Sequence, residues 1–103
     1  MAIEYLSSEK RREQILDHAL ILAEKIGYKN VRRHHIGESI GCSGSLVPKY
    51  CGSVDRMRDD VVRLAAKRSS MTVLVQALAD KNPALMDMIE KDADLKAKII
   101  EAM

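Results

Sequence analysis

An all-α protein is the expectation from this sequence, and three observations carry it. Its 103 residues include no Trp and no Phe, so a core has to be assembled from Ile, Leu, Val, Ala and Met, which suit helices packed side by side. Apolar residues recur at three- and four-residue spacing along most of the chain. Ser, Asn, Gly and Pro interrupt that pattern where helices are capped or stopped. At this length one domain is expected, and a domain so small buries only roughly two-thirds of its unfolded surface.

The first helix starts after a cap at Ser7 or Ser8, has Glu9 in its first turn where a carboxylate favours the helix dipole, and runs to about Ile26. Ile15, Ala19, Leu22, Ala23 and Ile26 form its apolar stripe, widened by Leu16 and Leu20, and Gly27 stops it. Lys10, Arg11 and Arg12 at its exposed start either pair with Glu9 and Glu13 or meet a phosphate. His18 lies among polar neighbours and is expected to face solvent.

Residues 28–31 read as a connector, and Arg32, Arg33, His34 and His35 lead into a short helix that ends near Ile40 and buries Ile36 and Ile40. This is the densest positive stretch of the chain. Two arginines without nearby acids suit a phosphate backbone better than a hydrated surface. Adjacent helical residues point about 100° apart, so His34 and His35 are not expected to chelate one metal ion.

Gly41 makes a turn, because glycine takes the positive φ that a sharp corner between helices needs. Ser43 or Ser45 caps the next helix. The small residues Ser43, Gly44 and Ser45 allow this helix start to approach another backbone closely, and its free amides suit a phosphate or base edge. Pro48 costs about 3 kcal/mol or more inside a helix but is tolerated in a first turn, so the second helix is expected to start late or to be distorted.

Ser53 caps a further helix that buries Met57, Val61, Leu64 and Ala65 and reaches residues 66–68. A piece carrying Met71, Leu74, Val75 and Leu78 either continues it or restarts after Ser69 and Ser70. Asn82 and Pro83 mark a clear boundary. Helices over about 83–91 and 94–103 then present Leu85, Met86, Ile89, Leu95, Ile99 and Ile100, and are too short to stand alone. They either fold back on the preceding helices or meet a second copy of the chain.

Charge is weakly informative as a total, at +2, but not in its distribution. Residues 1–58 hold ten Lys and Arg against seven Asp and Glu, whereas residues 59–103 hold seven against eight, so the positive balance lies in the first half. Cys42 and Cys51 lack a metal-ligand spacing, no basic-then-apolar export signal begins the chain, and no apolar run nears the roughly 20 residues of a membrane span. A cytoplasmic protein with reduced thiols and no membrane association is the expectation. No acid, base and nucleophile set stands at coherent spacing, so an enzyme is not expected, nor is a cofactor or a metal.

From Ile15 to Met57 the chain resembles, without a gap, the amino-terminal DNA-binding domain of tetracycline-repressor-like (TetR family) transcription regulators. Ile15, Leu16, Ala19, Leu22, Gly27 and Tyr28 match the family's first-helix pattern. Ile36, Gly41 and Ser43 match I-A-x-x-x-G-V-S, with Gly37 and Cys42 replacing Ala and Val. Val47, Lys49, Tyr50, Ser53 and Met57 follow the spacing of L-Y-x-Y-F-x-S-K-x-x-L. The resemblance implies a helix-turn-helix in which Lys49 and Tyr50 touch DNA, mainly phosphates, while Gly44 and Ser45 lie near base edges and Cys42 and Cys51 fill core positions. Three further departures bear on DNA contacts and helix geometry: Arg32 replaces the Thr that opens the second helix, Pro48 replaces a Tyr, and Val54 replaces a phosphate-binding Lys.

These readings combine into a helix-turn-helix DNA-binding unit over residues 1–58 and a helical extension over 59–103, which packs on it and/or forms a dimer interface within one compact domain. The expected function is that of a sequence-specific, double-stranded DNA-binding transcription regulator, a repressor by the resemblance, acting as a homodimer on half-sites about 34–36 Å apart. Its expected DNA contacts are Arg32, Arg33, His34, Ser43, Gly44, Ser45, Lys49 and Tyr50. The roughly 35–45 residues after the motif are too few to enclose a pocket of ~300–1,000 Å³, so no small-molecule effector is expected, and such a compact regulator suits a phage or plasmid. Two other functions compete: a replication or plasmid-maintenance factor using the same motif, and a helical interaction module that has lost its DNA contacts at Pro48 and Val54.

Overall fold

The computed structural model describes residues 7–41 and 44–103. Among these the chain forms no strand, and the all-α expectation holds. Its helices are α1 (Ser8–Ile26), α2 (Arg33–Ile40), α3 (Leu46–Cys51), α4 (Val54–Arg68), α5 (Met71–Ala79), α6 (Pro83–Lys91) and α7 (Ala93–Ala102), with a short 3-10 turn at Tyr28–Asn30. Cys42 and Ser43, expected in the core and at the start of the helix after Gly41, lie outside the described residues.

Local side-chain chemistry sets most boundaries. The Ser7 hydroxyl accepts the Lys10 N–H at 3.2 Å, and Ser53 does the same for Arg56 at 3.2 Å. Asn82 accepts the Leu85 N–H at 3.1 Å, with Pro83 in the first turn. Asp92 caps α7 through the Leu95 N–H at 3.1 Å, so that helix starts at Ala93, one residue earlier than expected. Such caps stabilise a helix by about 1 kcal/mol each. Gly41 ends α2 at φ 84°, its N–H bonded to the Gly37 carbonyl at 2.9 Å.

Between α4 and α5 the chain restarts. Ser69 adopts the left-handed conformation at φ 56° and the Ser70 N–H reaches back to the Ala65 carbonyl at 2.8 Å, closing α4 as a glycine would. Lys81 repeats the device after α5, at φ 54°, with the Asn82 N–H bonded to the Ala77 carbonyl at 2.9 Å.

The core joins Ile15, Leu16, Ala19, Leu20 and Ala23 of α1 to Ile36, Val47, Met57, Val62, Leu74, Leu85 and Ile99 of the later helices. In α1 the buried stripe ends a turn earlier than expected: Leu22 is half-buried and Ile26 is 41% exposed. In α4, Val62 is fully buried and Leu64 only half. In α5 the buried residues are Val73, Leu74 and Ala77, not the expected stripe of Met71, Leu74, Val75 and Leu78. That helix is apolar nearly all round and packs against α1, α4, α6 and α7, so its neighbours and not its pattern choose the face buried deepest. At the end of α7, Ile99 is buried and Ile100 is 52% exposed.

The connector contributes more to the core than its sequence suggested. Tyr28 and Val31 are buried, and the 3-10 turn is tied to the end of α5. The Tyr28 N–H donates to Gln76 Oε1 at 3.0 Å, the Tyr28 hydroxyl donates to Asp80 Oδ2 at 2.5 Å, and Lys29 Nζ donates to Asp80 Oδ1 at 2.8 Å. Arg58 of α4 donates to the Lys29 carbonyl at 2.8 Å. These bonds pin the backbone just before α2 and thereby set where α2 begins.

Charged pairs also clamp α1 to α4. Arg12 bonds Asp60 at 2.7 Å, Arg63 bonds the same carboxylate at 3.0 Å, and Arg68 bonds Asp17. Arg12 thus pairs across the fold and not with Glu9 or Glu13. No described helix is long and apolar enough to cross a membrane.

Candidate nucleic-acid interface

The first turn of α2 is built to expose its two guanidiniums. Arg32 occupies the cap position in extended backbone, and its N–H donates to His35 Nδ1 at 2.9 Å. That bond uses the Nδ1 lone pair and so selects the Nε2–H tautomer of His35. His35 is therefore half-buried and spent on capping, whereas Arg32, Arg33 and His34 are exposed. The two imidazole rings stand 4.1 Å apart, tilted by 46°. Neither Arg32 nor Arg33 forms an ion pair among the described residues.

The far side of α2 is anchored. Ile36 is fully buried, and His18 of α1, expected to face solvent, is half-buried and shares a 2.7 Å hydrogen bond with Ser39. With its inner face held by packing and by His18, α2 has only its basic first turn and its outer face left to meet a partner.

Gly44 brings the segment before α3 onto that first turn. A Cβ placed on Gly44 would lie 3.0 Å from both the carbonyl carbon and oxygen of Arg33 and 3.1 Å from the His34 nitrogen, so no larger residue fits without moving backbone. The close approach expected of the small residues here is present at Gly44. Beside it lies an open cleft of about 510 Å³ lined by Arg32, Arg33, His34, Gly44, Ser45 and Val54. Five of the eight residues singled out from the sequence thus share one concave surface. Ser43 lies outside the described residues, and Lys49 and Tyr50 lie on α3 beyond the cleft lining.

In α3, Ser45 stands at the cap position and the helix spans only six residues. Pro48 is the third of them, in the first turn, where its missing N–H takes nothing from the helix; its carbonyl still accepts the Gly52 N–H at 3.1 Å. The late start expected from Pro48 matches a helix that begins at Leu46. Val47 and Cys51 are buried and fix the roll of the helix, leaving Ser45, Pro48 and Lys49 exposed and Leu46 and Tyr50 half-buried. The Lys49 ammonium lies over the Tyr50 ring, 5.5 Å from its centroid. Burial raises the Cys51 thiol pKa, which keeps it protonated and a poor nucleophile.

Val54, which the sequence marked only as a departure from a family pattern, lines the cleft and packs partly on the core. The anchors behind α2 had no sequence signal: His18 and Ser39 lie 21 residues apart and Tyr28 and Asp80 lie 52 apart. Chemically, the cleft offers two guanidiniums, an imidazole and a small-residue floor, and the Lys49 ammonium lies beyond it on α3. Among the described residues no group of three His, Cys, Asp or Glu side chains is arranged to hold a metal ion. No family model, no curated protein and no solved structure matches this chain.

Proposed function

We propose that the chain is a sequence-specific, double-stranded DNA-binding transcription regulator, a repressor in the manner of the TetR-like regulators that residues 15–57 resemble. In this reading α2, the turn at Gly41 and α3 form a helix-turn-helix, with α3 entering the major groove and the basic first turn of α2 gripping the adjacent backbone. One observation carries it: Arg32, Arg33 and His34 stand exposed at the start of α2, without acidic partners among the described residues, on the same cleft as Gly44 and Ser45, which directly precede α3. Two guanidiniums on a concave surface whose lining holds no carboxylate suit a polyanion. Two-fold symmetric operators call for a homodimer, and exposed Ile21, Ile26, Ile100 and Met103 supply apolar surface for one.

The test is a titration of fluorescently labelled random-sequence duplex DNA at several salt concentrations. The wild-type chain should bind, with affinity falling steeply as salt rises. Arg32→Ala and Arg33→Ala should each weaken binding to all sequences and flatten the logarithmic salt slope by about 0.9. Absence of binding by the wild type at any salt would refute the proposal and favour a protein-interaction module on the same scaffold.

A further inference from the structure

Resting on the DNA-binding reading, we propose that Lys49 is a base-reading residue, selective for guanine in the major groove, and not one of the phosphate anchors. The resemblance alone would assign Lys49 mainly to phosphates. The roll of α3 argues otherwise.

Val47 and Cys51 are four apart and both buried, which defines the inner face of α3. Ser45 and Lys49 are also four apart and both exposed, and at about 100° per residue Lys49 lies diametrically opposite that inner face, with Ser45 roughly 40° to one side. Pro48 on one side, and Leu46 and Tyr50 on the other, flank this ridge. When a helix lies in the major groove, the centre of its outer face meets base edges and its flanks meet the two sugar-phosphate walls. Lys49 therefore occupies the base-facing position, one turn after Ser45.

Its chemistry selects the base. An ammonium has donors and no acceptor, so it matches the paired O6 and N7 acceptors of guanine, whereas adenine and cytosine each present an amino donor on that edge. No acid competes for it, since Lys49 forms no ion pair among the described residues. The Tyr50 ring beneath the ammonium restrains the otherwise flexible stem, reducing the order lost on binding. Phosphate neutralisation is meanwhile supplied from α2 by Arg32 and Arg33. The other exposed side chains here, Ser45 at the cap and Pro48 within α3, carry little base discrimination, so Lys49 becomes the main reader on a short helix.

Selection from duplexes carrying about 20 bp of randomised sequence, two helical turns, tests this with the full chain, Lys49→Ala and Lys49→Arg. The wild type should enrich a fixed guanine in each half-site. Lys49→Ala should lose that preference at that position alone, and Lys49→Arg should keep it. Replacing the selected guanine by 7-deazaguanine, which lacks N7, should weaken the wild type about tenfold and leave Lys49→Ala unaffected. Because Lys49 is exposed, unchanged circular dichroism and melting should verify that both variants fold. A uniform loss of affinity in Lys49→Ala, with the salt slope flattened by about 0.9 and no change at any base, would overturn the inference and make Lys49 a phosphate contact. Selection of sites with no fixed guanine would overturn it as well. Absence of any DNA capture by the wild type would instead remove the DNA-binding reading on which it rests.

Discussion

Replacing Gly44 by Ala tests whether the approach of the segment before α3 to α2 is as tight as the backbone positions require. The new Cβ would lie 3.0 Å from the Arg33 carbonyl carbon and oxygen and 3.1 Å from the His34 nitrogen. Non-bonded carbons settle at roughly 3.5–4.0 Å, so the first turn of α2 has to retreat by about 0.5 Å. It cannot do so freely, because Ile36 is fully buried beneath it and His18 and Ser39 hold its far end. Overpacking of this kind costs about 1–3 kcal/mol. Gly44 is not in the left-handed region, so Ala carries no backbone penalty there and gains about 0.4–1 kcal/mol through the stiffer unfolded chain. The net expectation is a loss of about 1 kcal/mol and a melting temperature lower by roughly 4–8 °C.

Gly41→Ala is the control. Nothing lies within 4 Å of its Cβ, but its φ of +84° strains any L side chain, so it should lose a similar stability without widening the gap between Gly44 and Arg33. Thermal melts monitored by circular dichroism, paired with DNA titrations well below the melting point, separate the two effects. Gly44→Ala should lower both stability and DNA affinity, Gly41→Ala mainly stability. A Gly44→Ala protein that melts at or above the wild type would refute the tight approach and with it the proposed shape of the cleft.

The anchoring of α2 and the helix ends lead to two further expected outcomes. Burial, and then the bond to Asp80, raise the Tyr28 pKa, so its contribution is complete below about pH 10 and lost as pH rises through the higher folded value. The bond from Lys29, and then that from Tyr28, lower the Asp80 pKa, so its contribution is present above about pH 4 and lost as pH falls through the lower folded value. Urea midpoints measured against pH should therefore fall at both extremes, with Tyr28→Phe flattening the alkaline limb and Asp80→Asn the acid limb; unaltered profiles would exclude this hub as a stabilising element. Separately, Ser69→Gly and Lys81→Gly relieve side chains held at φ 56° and 54°, and each should stabilise by about 0.5–1 kcal/mol, read as a rise in melting temperature. A fall in either variant would mean that the lost side chain outweighs the relieved strain.

Helices and their ends were largely legible in the amino-acid sequence. Ser7, Ser53 and Asn82 cap where expected, Gly41 turns the chain, and Pro48 falls where it spares the helix, because each of these signals acts within one helical turn of the residue that sends it. The basic first turn of α2 was legible for the same reason: four consecutive residues need no tertiary contact to be seen. The choice of buried face and of long-range partner emerged only when the helices were assembled. An apolar helix such as α5 has no preferred face until α1, α4, α6 and α7 surround it. Likewise Arg12 had Glu13 and Asp60 to choose between, and it pairs with the carboxylate 48 residues away because packing of α1 on α4 brings that one within 2.7 Å. Gly44 gained its meaning in the same way, from the Arg33 backbone laid against it. Caps and turns are settled by bonds between neighbours in the chain, whereas pairing and burial are settled by the simultaneous packing of every helix, which no local spacing encodes.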